Sequence, residues 1–224
     1  MNGDINWVAV LGTMLALAAA GYVIGATPFG FLIAKLKGID IREVGSKNIG
    51  ATNVWRNLGP AYGLPVFILD ALKGWLPAWG AVTMLSDGPE TQAIATVGGM
   101  VAGMAAVLGH NFTFWLKGRG GKGVATSAGV LLGLAPAAVG IAALVWAVLF
   151  FGCRYSSLAS LGAALAVPVS MAGLMAASGS WNPVLLGFGV VLCVLTFVRH
   201  KANIARLLAG TELKVGAKKK EEQA

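Results

Sequence analysis

Residues 123 to 152 contain only apolar side chains together with Gly, Ser, Thr and Pro. Such a stretch has few places to go. The hydrocarbon core of a bilayer is about 30 Å thick and takes roughly 20 apolar residues as a helix, which satisfies its backbone N–H and C=O groups internally. Residues 123 to 152 exceed one such span, and Pro136, in the run Gly133-Leu134-Ala135-Pro136, divides them at a hairpin. The whole chain agrees: 57% of its 224 residues are hydrophobic and 12% charged, with a mean hydropathy of +0.75, which is unusual for a soluble domain. Seven spans result, at about 7 to 33, 62 to 85, 94 to 108, 123 to 134, 136 to 151, 157 to 177 and 184 to 198. The fold class is therefore all-α, a polytopic integral membrane helix bundle of seven transmembrane helices. Its abundant Gly, Ala and Ser let helix backbones approach closely.

Orientation follows from the 17 Lys and Arg residues. Apart from Lys73 they lie at one side of the bundle, in 35 to 56, 117 to 122, 154 and 199 to 220, and the positive-inside rule makes that side cytoplasmic. An odd number of spans then leaves the N-terminus outside and the C-terminus in the cytoplasm. The basic pI near 9.8 tracks loop sidedness, so no nucleic-acid partner is needed to explain it. No cleavable signal peptide is expected, because Lys35 is the first basic residue and Asp4 precedes the first apolar run. Cys153 and Cys193 lack metal-ligand spacing, and neither a metal nor another cofactor is expected. Residues 1 to 213 read as a single transmembrane domain and 214 to 224 as a basic, flexible cytoplasmic tail.

Three polar clusters fall on that one side. In Gly45 to Arg56, glycines such as Gly50 let backbone N–H groups approach a ligand, Ser46, Asn48, Thr52 and Asn53 add directional hydrogen bonds, and Arg56 offers a planar fork suited to phosphate. The alternative is a turn followed by a helix N-cap. The second cluster, running from His110 to Thr126, sets Arg119 and Lys122 among Gly120, Gly121 and Gly123 just before a span, where N–H groups and the helix dipole can face an anion. It is no nucleotide P-loop, because Leu116 and Gly123 stand where that motif needs Gly and Ser or Thr. A positive-inside loop is the simpler alternative. In the third, His200, Asn203 and Arg206 share one face if the helix of the last span continues, and helix-end capping is the competing explanation. Within the spans, Asp70 and Lys73 share a helix face as an ion pair or a substrate contact. Ser157 and Ser160 are one turn apart at the start of the sixth span.

The segments "GSKNIGATNVWR", "LDALKG", "GHNFTFWLKGRGGKGVAT", "RYSSLAS" and "RHKANIARLLAGTE" resemble, in order and spacing, the acyl-phosphate:glycerol-3-phosphate acyltransferases of bacterial inner membranes, over roughly residues 20 to 213. The resemblance implies transfer of a fatty acyl group from acyl phosphate to the 1-hydroxyl of sn-glycerol 3-phosphate, giving lysophosphatidic acid and phosphate in the first step of phospholipid synthesis. It implies an active site on the cytoplasmic face of the inner membrane. It carries over Ser46, Arg56, Lys122, His200 and Asn203 as catalytic residues. Binding residues would be Asn48, Gly50, Thr52, Asn53, Asp70, Lys73, His110, Arg119, Gly120, Gly121, Gly123, Thr126 and Ser160. The chain departs from the family pattern at Lys47, Thr113, Gly118 and Arg119.

With two phosphate-bearing substrates, the Lys122 loop is assigned to acyl phosphate, and Arg56, His200 and Asn203 to glycerol 3-phosphate. Neither His110 nor His200 has the His-x4-Asp spacing of acyl-CoA-dependent acyltransferases, since Trp115 and Ala205 stand at the fifth position after them. A substrate phosphate oxygen is favoured over His200 as proton acceptor. The partners expected are the two substrates and membrane lipid, with the enzyme that makes acyl phosphate as a candidate protein partner and no obligate one. The rival from another class is a membrane carrier for an organic phosphate, against which stand the absence of an inverted repeat and the crowding of polar groups on one face.

Overall fold

A computed structural model describes residues 6–216. Those residues form α1 (Trp7–Ala26), α2 (Phe29–Leu36), α3 (Ala51–Leu58), α4 (Pro60–Leu85), α5 (Gln92–Asn111), a 3-10 turn (Phe114–Leu116), α6 (Val124–Leu134), α7 (Pro136–Cys153), α8 (Ser156–Ser178), α9 (Pro183–Arg199) and α10 (Lys201–Leu208), with no strand among them. Four stretches are long and apolar enough to cross a membrane, namely Trp7–Leu36, Gln92–Leu116, Pro136–Cys153 and Ser156–Ser178, and α9 with α10 makes a fifth if that bent pair is one span. The 26-residue α4 carries Asp70, Lys73 and two interior prolines, and α6 has 11 residues. Apolar side chains such as Val8, Leu15, Leu144, Val148, Phe151 and Val194 are more than half exposed, as a lipid-facing surface requires.

Two helices depart from the sequence expectation. The first span, expected to run unbroken from 7 to 33, stops at Thr27 and restarts after Pro28. Proline removes an N–H and leaves carbonyls at the end of α1 without helical donors. Thr113 Oγ1 donates to Ala26 O at 2.5 Å and Lys73 Nζ to Thr27 O at 2.6 Å, so the break is capped from other helices. The last span does not continue straight past the membrane. It bends by 60° between α9 and α10, with His200 at the corner.

Small residues bring the helices together. A Cβ on Gly25 would strike the backbone of Ala106, and one on Gly129 the backbone of Ala71, so α1 against α5 and α4 against α6 pack nearly main chain to main chain. The main apolar core joins Val107, Val130, Leu131, Val167, Met171 and Leu192. A second cluster, Ile41, Ile49, Val54, Val66 and Leu116, lies under the first polar loop. The chain remains attached past the boundary expected at residue 213: Val215 is buried against Phe150 and Ala159, and its N–H donates to Arg154 O at 3.0 Å. Residues 217–224 of the expected tail lie outside the described residues.

Candidate active site

The loop ahead of α3 is organised by Asn53, which is 2% exposed. Its Nδ2 donates to the carbonyls of Ile41, Val44 and Asn48 at 3.0, 3.1 and 2.9 Å. Its Oδ1 accepts from Ser46 N at 2.9 Å. One buried amide thereby ties three turns of chain and sets Ser46 at the rim of a cavity of about 120 Å³. Asn48 Oδ1 accepts from Gly50 N at 2.8 Å, and Thr52 Oγ1 lies 2.9 Å from Ser156 Oγ, joining α3 to the start of α8. Arg56 donates through Nη2 to Leu213 O at 2.8 Å, while its buried Nε has no partner. Burial lowers the Arg56 pKa from its ordinary value.

Lys122 enters the same cavity and donates to Asn203 Oδ1. Asn203 Nδ2 donates to Glu212 Oε1 at 2.6 Å, Ser157 Oγ to the same oxygen at 2.8 Å, and Arg206 Nε to Glu212 Oε2 at 2.7 Å. Burial pushes the Lys122 ammonium down to about 8, with Glu212 opposing the shift and Arg206, Arg56 and Arg199 adding to it. For Glu212, burial acts to raise the pKa, but the hydrogen bonds from Asn203, Ser157 and Arg206 prevail and hold it below the usual carboxylate value. His200 Nδ1 is 2.8 Å from Thr196 O, an acceptor, so Nδ1 carries the proton and Nε2 is an acceptor. Burial and the neighbouring Lys122 push its pKa down to about 4, leaving the ring neutral at pH 7.

Ser46, Asn48, Gly50, Thr52, Asn53, Arg56, Asp70, His110, Lys122, Gly123, Ser160, His200 and Asn203 all line this cavity. Residues from five separate sequence regions thus meet. Asp70 reaches it from α4, 2.8 Å from Lys73 Nζ and 3.6 Å from His110 Nδ1. Lys73 itself is directed to the Thr27 carbonyl, so the ion-pair alternative accounts for it.

The second glycine-rich loop is built differently from its sequence reading. Gly120 N donates to Asn111 O at 3.2 Å and Gly121 N to His110 O at 3.0 Å. The C-terminal carbonyls of α5 need donors, and these N–H groups supply them in place of facing an anion. A Cβ on Gly121 would strike the His110 imidazole, so close packing against α5 is what excludes a side chain there. Arg119 is exposed, and neither it nor Gly120 nor Gly121 lines the cavity. Thr126 is fully buried against Gly74 of α4, also away from it. Lys122 and Gly123 are what the loop contributes.

Glu212, Ser156, Trp146 and Phe67 line the cavity without having been singled out in the sequence. A lone acidic residue closing a basic segment was the available signal for Glu212. Beside the polar cavity lies an apolar groove of about 340 Å³, with Leu64, Phe67, Leu131, Ala142, Trp146 and Val167 among its walls. Ala51, Thr52, Phe67, Val124, Trp146 and Ser160 are common to both. A cationic, hydrogen-bonding chamber therefore opens directly on a slot fit for a hydrocarbon chain.

Residues 15–210 match the model of the family described as glycerol-3-phosphate acyltransferase. The chain belongs to that family. A glycerol-3-phosphate acyltransferase of Mesorhizobium japonicum is 44% identical over 209 residues, 92% of this chain and 98% of the relative. One from Desulforamulus reducens is 42% identical over 208 residues, again 92% and 98%. Among solved structures, the glycerol 3-phosphate form of PlsY (YgiH), an integral membrane glycerol 3-phosphate acyltransferase, superposes with a TM-score of 0.79 at 39% identity, covering 91% of this chain and 96% of that one. The lysophosphatidic acid form gives 0.77 at 38% identity, with 90% and 94% covered. This glycerol-3-phosphate acyltransferase family member accordingly has an integral membrane fold.

Proposed function

We propose that this chain transfers a fatty acyl group from acyl phosphate to the 1-hydroxyl of sn-glycerol 3-phosphate, forming lysophosphatidic acid and inorganic phosphate. The observation that carries the reading is the shared wall between the polar cavity and the apolar groove. A soluble phosphate ester and a long acyl chain need opposite surroundings, and here they meet at Thr52, Val124, Trp146 and Ser160. Lys122 lines the polar cavity two residues before Val124, which lines both spaces; this supports a role in holding the phosphate of the donor. Arg56, with its unpaired Nε, and His200 and Asn203 hold glycerol 3-phosphate.

The 1-hydroxyl oxygen attacks the acyl carbonyl carbon, the bond from that carbon to the phosphate oxygen breaks, and the hydroxyl proton leaves with phosphate. Negative charge grows on the carbonyl oxygen and then on the leaving group, where a fixed ammonium and guanidinium favour the transition state. A neutral His200 with a pKa near 4 is a weak base at pH 7 but a good hydrogen-bond acceptor for the hydroxyl. A substrate phosphate oxygen accepts the proton. The seven sequence spans, a cytoplasmic C-terminus and a site facing the cytoplasm of a bacterial inner membrane complete the proposal, supported by the bias of the basic loops. Purified protein in lipid, given palmitoyl phosphate and glycerol 3-phosphate with palmitoyl-CoA as a parallel donor, tests it. Lysophosphatidic acid is expected from acyl phosphate alone. Product from acyl-CoA alone overturns the donor, and no product from either favours a carrier.

A further inference from the structure

The apolar groove has a definite depth, set by the hairpin that Pro136 creates. Its lining on α6 runs from Val124 through Ser127 and Ala128 to Leu131, and on α7 from Phe150 through Trp146, Ala143 and Ala142 to Val139. Leu131 and Val139 lie four residues to either side of Ala135, the turn of the hairpin, so the two arms form a wedge with these residues at its apex. The wall supplied by α8 runs from Ser160 to Val167, and α9 adds Thr196, Cys193 and Leu192. From the residues shared with the polar cavity, Val124, Trp146 and Ser160, to the apex residues Leu131, Val139 and Val167 is seven residues on each helix, about 10 Å at 1.5 Å per residue. Beyond it the wedge is shut: Leu131, Val167, Leu192 and Met171 pack into the main core, each at most 8% exposed. The front stays open, where Leu64 and Phe67 of α4 are about half exposed.

We propose that this wedge is a ruler that reads only the first eight or so carbons of the acyl chain, and that the remainder turns out through the open front into lipid. An extended chain advances about 1.2 Å per backbone atom, one residue's 3.6 Å over three bonds, so about 10 Å holds about eight carbons. The residues that set selectivity are then Ala142 and Ala163, small side chains lining the groove at mid-depth on the neighbouring helices α7 and α8, and Leu131 and Val139 at the apex. The enzyme discriminates among donors by what lies near their carboxyl end and is indifferent to the tail. The ruler rests on the acyl-transfer reading above.

The test uses the full chain in lipid with methyl-branched isomers of hexadecanoyl phosphate, which partition alike into the bilayer. A branch on carbon 4 to 6 is expected to lower kcat/KM at least tenfold relative to the unbranched donor, and a branch on carbon 12 to 14 by less than twofold. In Ala142→Leu, or in Ala163→Leu should the first fail to fold, the variant-to-wild-type ratio of kcat/KM is expected to fall at least tenfold between four- and eight-carbon donors and then stay level to sixteen. Equal sensitivity to branches at both ends, or a ratio still falling at sixteen carbons, overturns the ruler while leaving acyl transfer intact. Failure of every acyl phosphate as donor overturns the acyl-transfer reading itself, and the ruler with it.

Discussion

Lys122 gives the sharpest prediction, because its environment puts its titration within an accessible pH range. Burial strips water from the ammonium, Arg206, Arg56 and Arg199 repel it, and Glu212 offsets part of the cost, leaving the pKa at about 8. The sign follows directly: below pH 8 the group is charged, as its proposed role on phosphate requires, and above it the charge is lost. A phosphate monoester becomes a dianion above about pH 6, so kcat/KM is expected to plateau between about 7 and 8. It should then fall close to tenfold per unit above that, since the protonated fraction falls by that factor. Lys122→Arg, whose guanidinium stays charged, should start lower because its fork differs from a point charge, yet remain flat to pH 10. Glu212→Gln removes the one group that raises this pKa and should bring the alkaline fall to lower pH. Lys122→Ala loses a charge-assisted hydrogen bond worth about 1.5 to 3 kcal/mol, about 10- to 150-fold in kcat/KM. Initial rates of phosphate release across pH 6.5 to 10, in buffers of constant ionic strength, provide the assay. An alkaline fall of the same shape in Lys122→Arg would refute the assignment.

Three further outcomes follow from the geometry. Gly121→Ala, whose Cβ would meet the His110 ring, should lower the thermal unfolding temperature and raise the KM for a phosphate substrate, as the loop carrying Lys122 is displaced; a raised KM at unchanged stability would instead indicate direct phosphate contact. Lys73→Met leaves Asp70 and the Thr27 carbonyl uncompensated in a buried site and should destabilise by about 3 to 5 kcal/mol, with Asp70→Asn restoring part of it in the double variant, as read by detergent-solubilised unfolding. His200→Gln should keep kcat within a few-fold while raising the KM for glycerol 3-phosphate; a fall in kcat of a hundredfold or more would make the imidazole the base.

Hydropathy and Pro136 revealed the all-helical class and the turn between α6 and α7 because both act locally. The break at Thr27 had a local signal in Pro28 that a hydropathy reading passes over, and its capping by Lys73 and Thr113 comes from partners distant in sequence; the bend at His200 had no local signal, forming where Lys122, Asn203 and Glu212 tie α10 to its neighbours. Many of the polar residues that line the cavity were visible because Asn, Ser, Lys and Arg are conspicuous against an apolar background. Gly120 and Gly121 were misread for the same reason, as a glycine-rich basic loop looks alike whether its N–H groups face an anion or the end of α5. The groove left no sequence signal, being assembled from single residues of many helices.

The cavity's first wall comes from Ser46 to Arg56 and its last from Asn203 and Glu212, with Arg56 bonded to the adjacent Leu213 carbonyl. A nascent chain threading into the bilayer therefore holds no pocket until its final helix has left the ribosome. Truncated translation products that lack this closing segment are expected to show no acyl transfer, which a truncation ending before Asn203 would check.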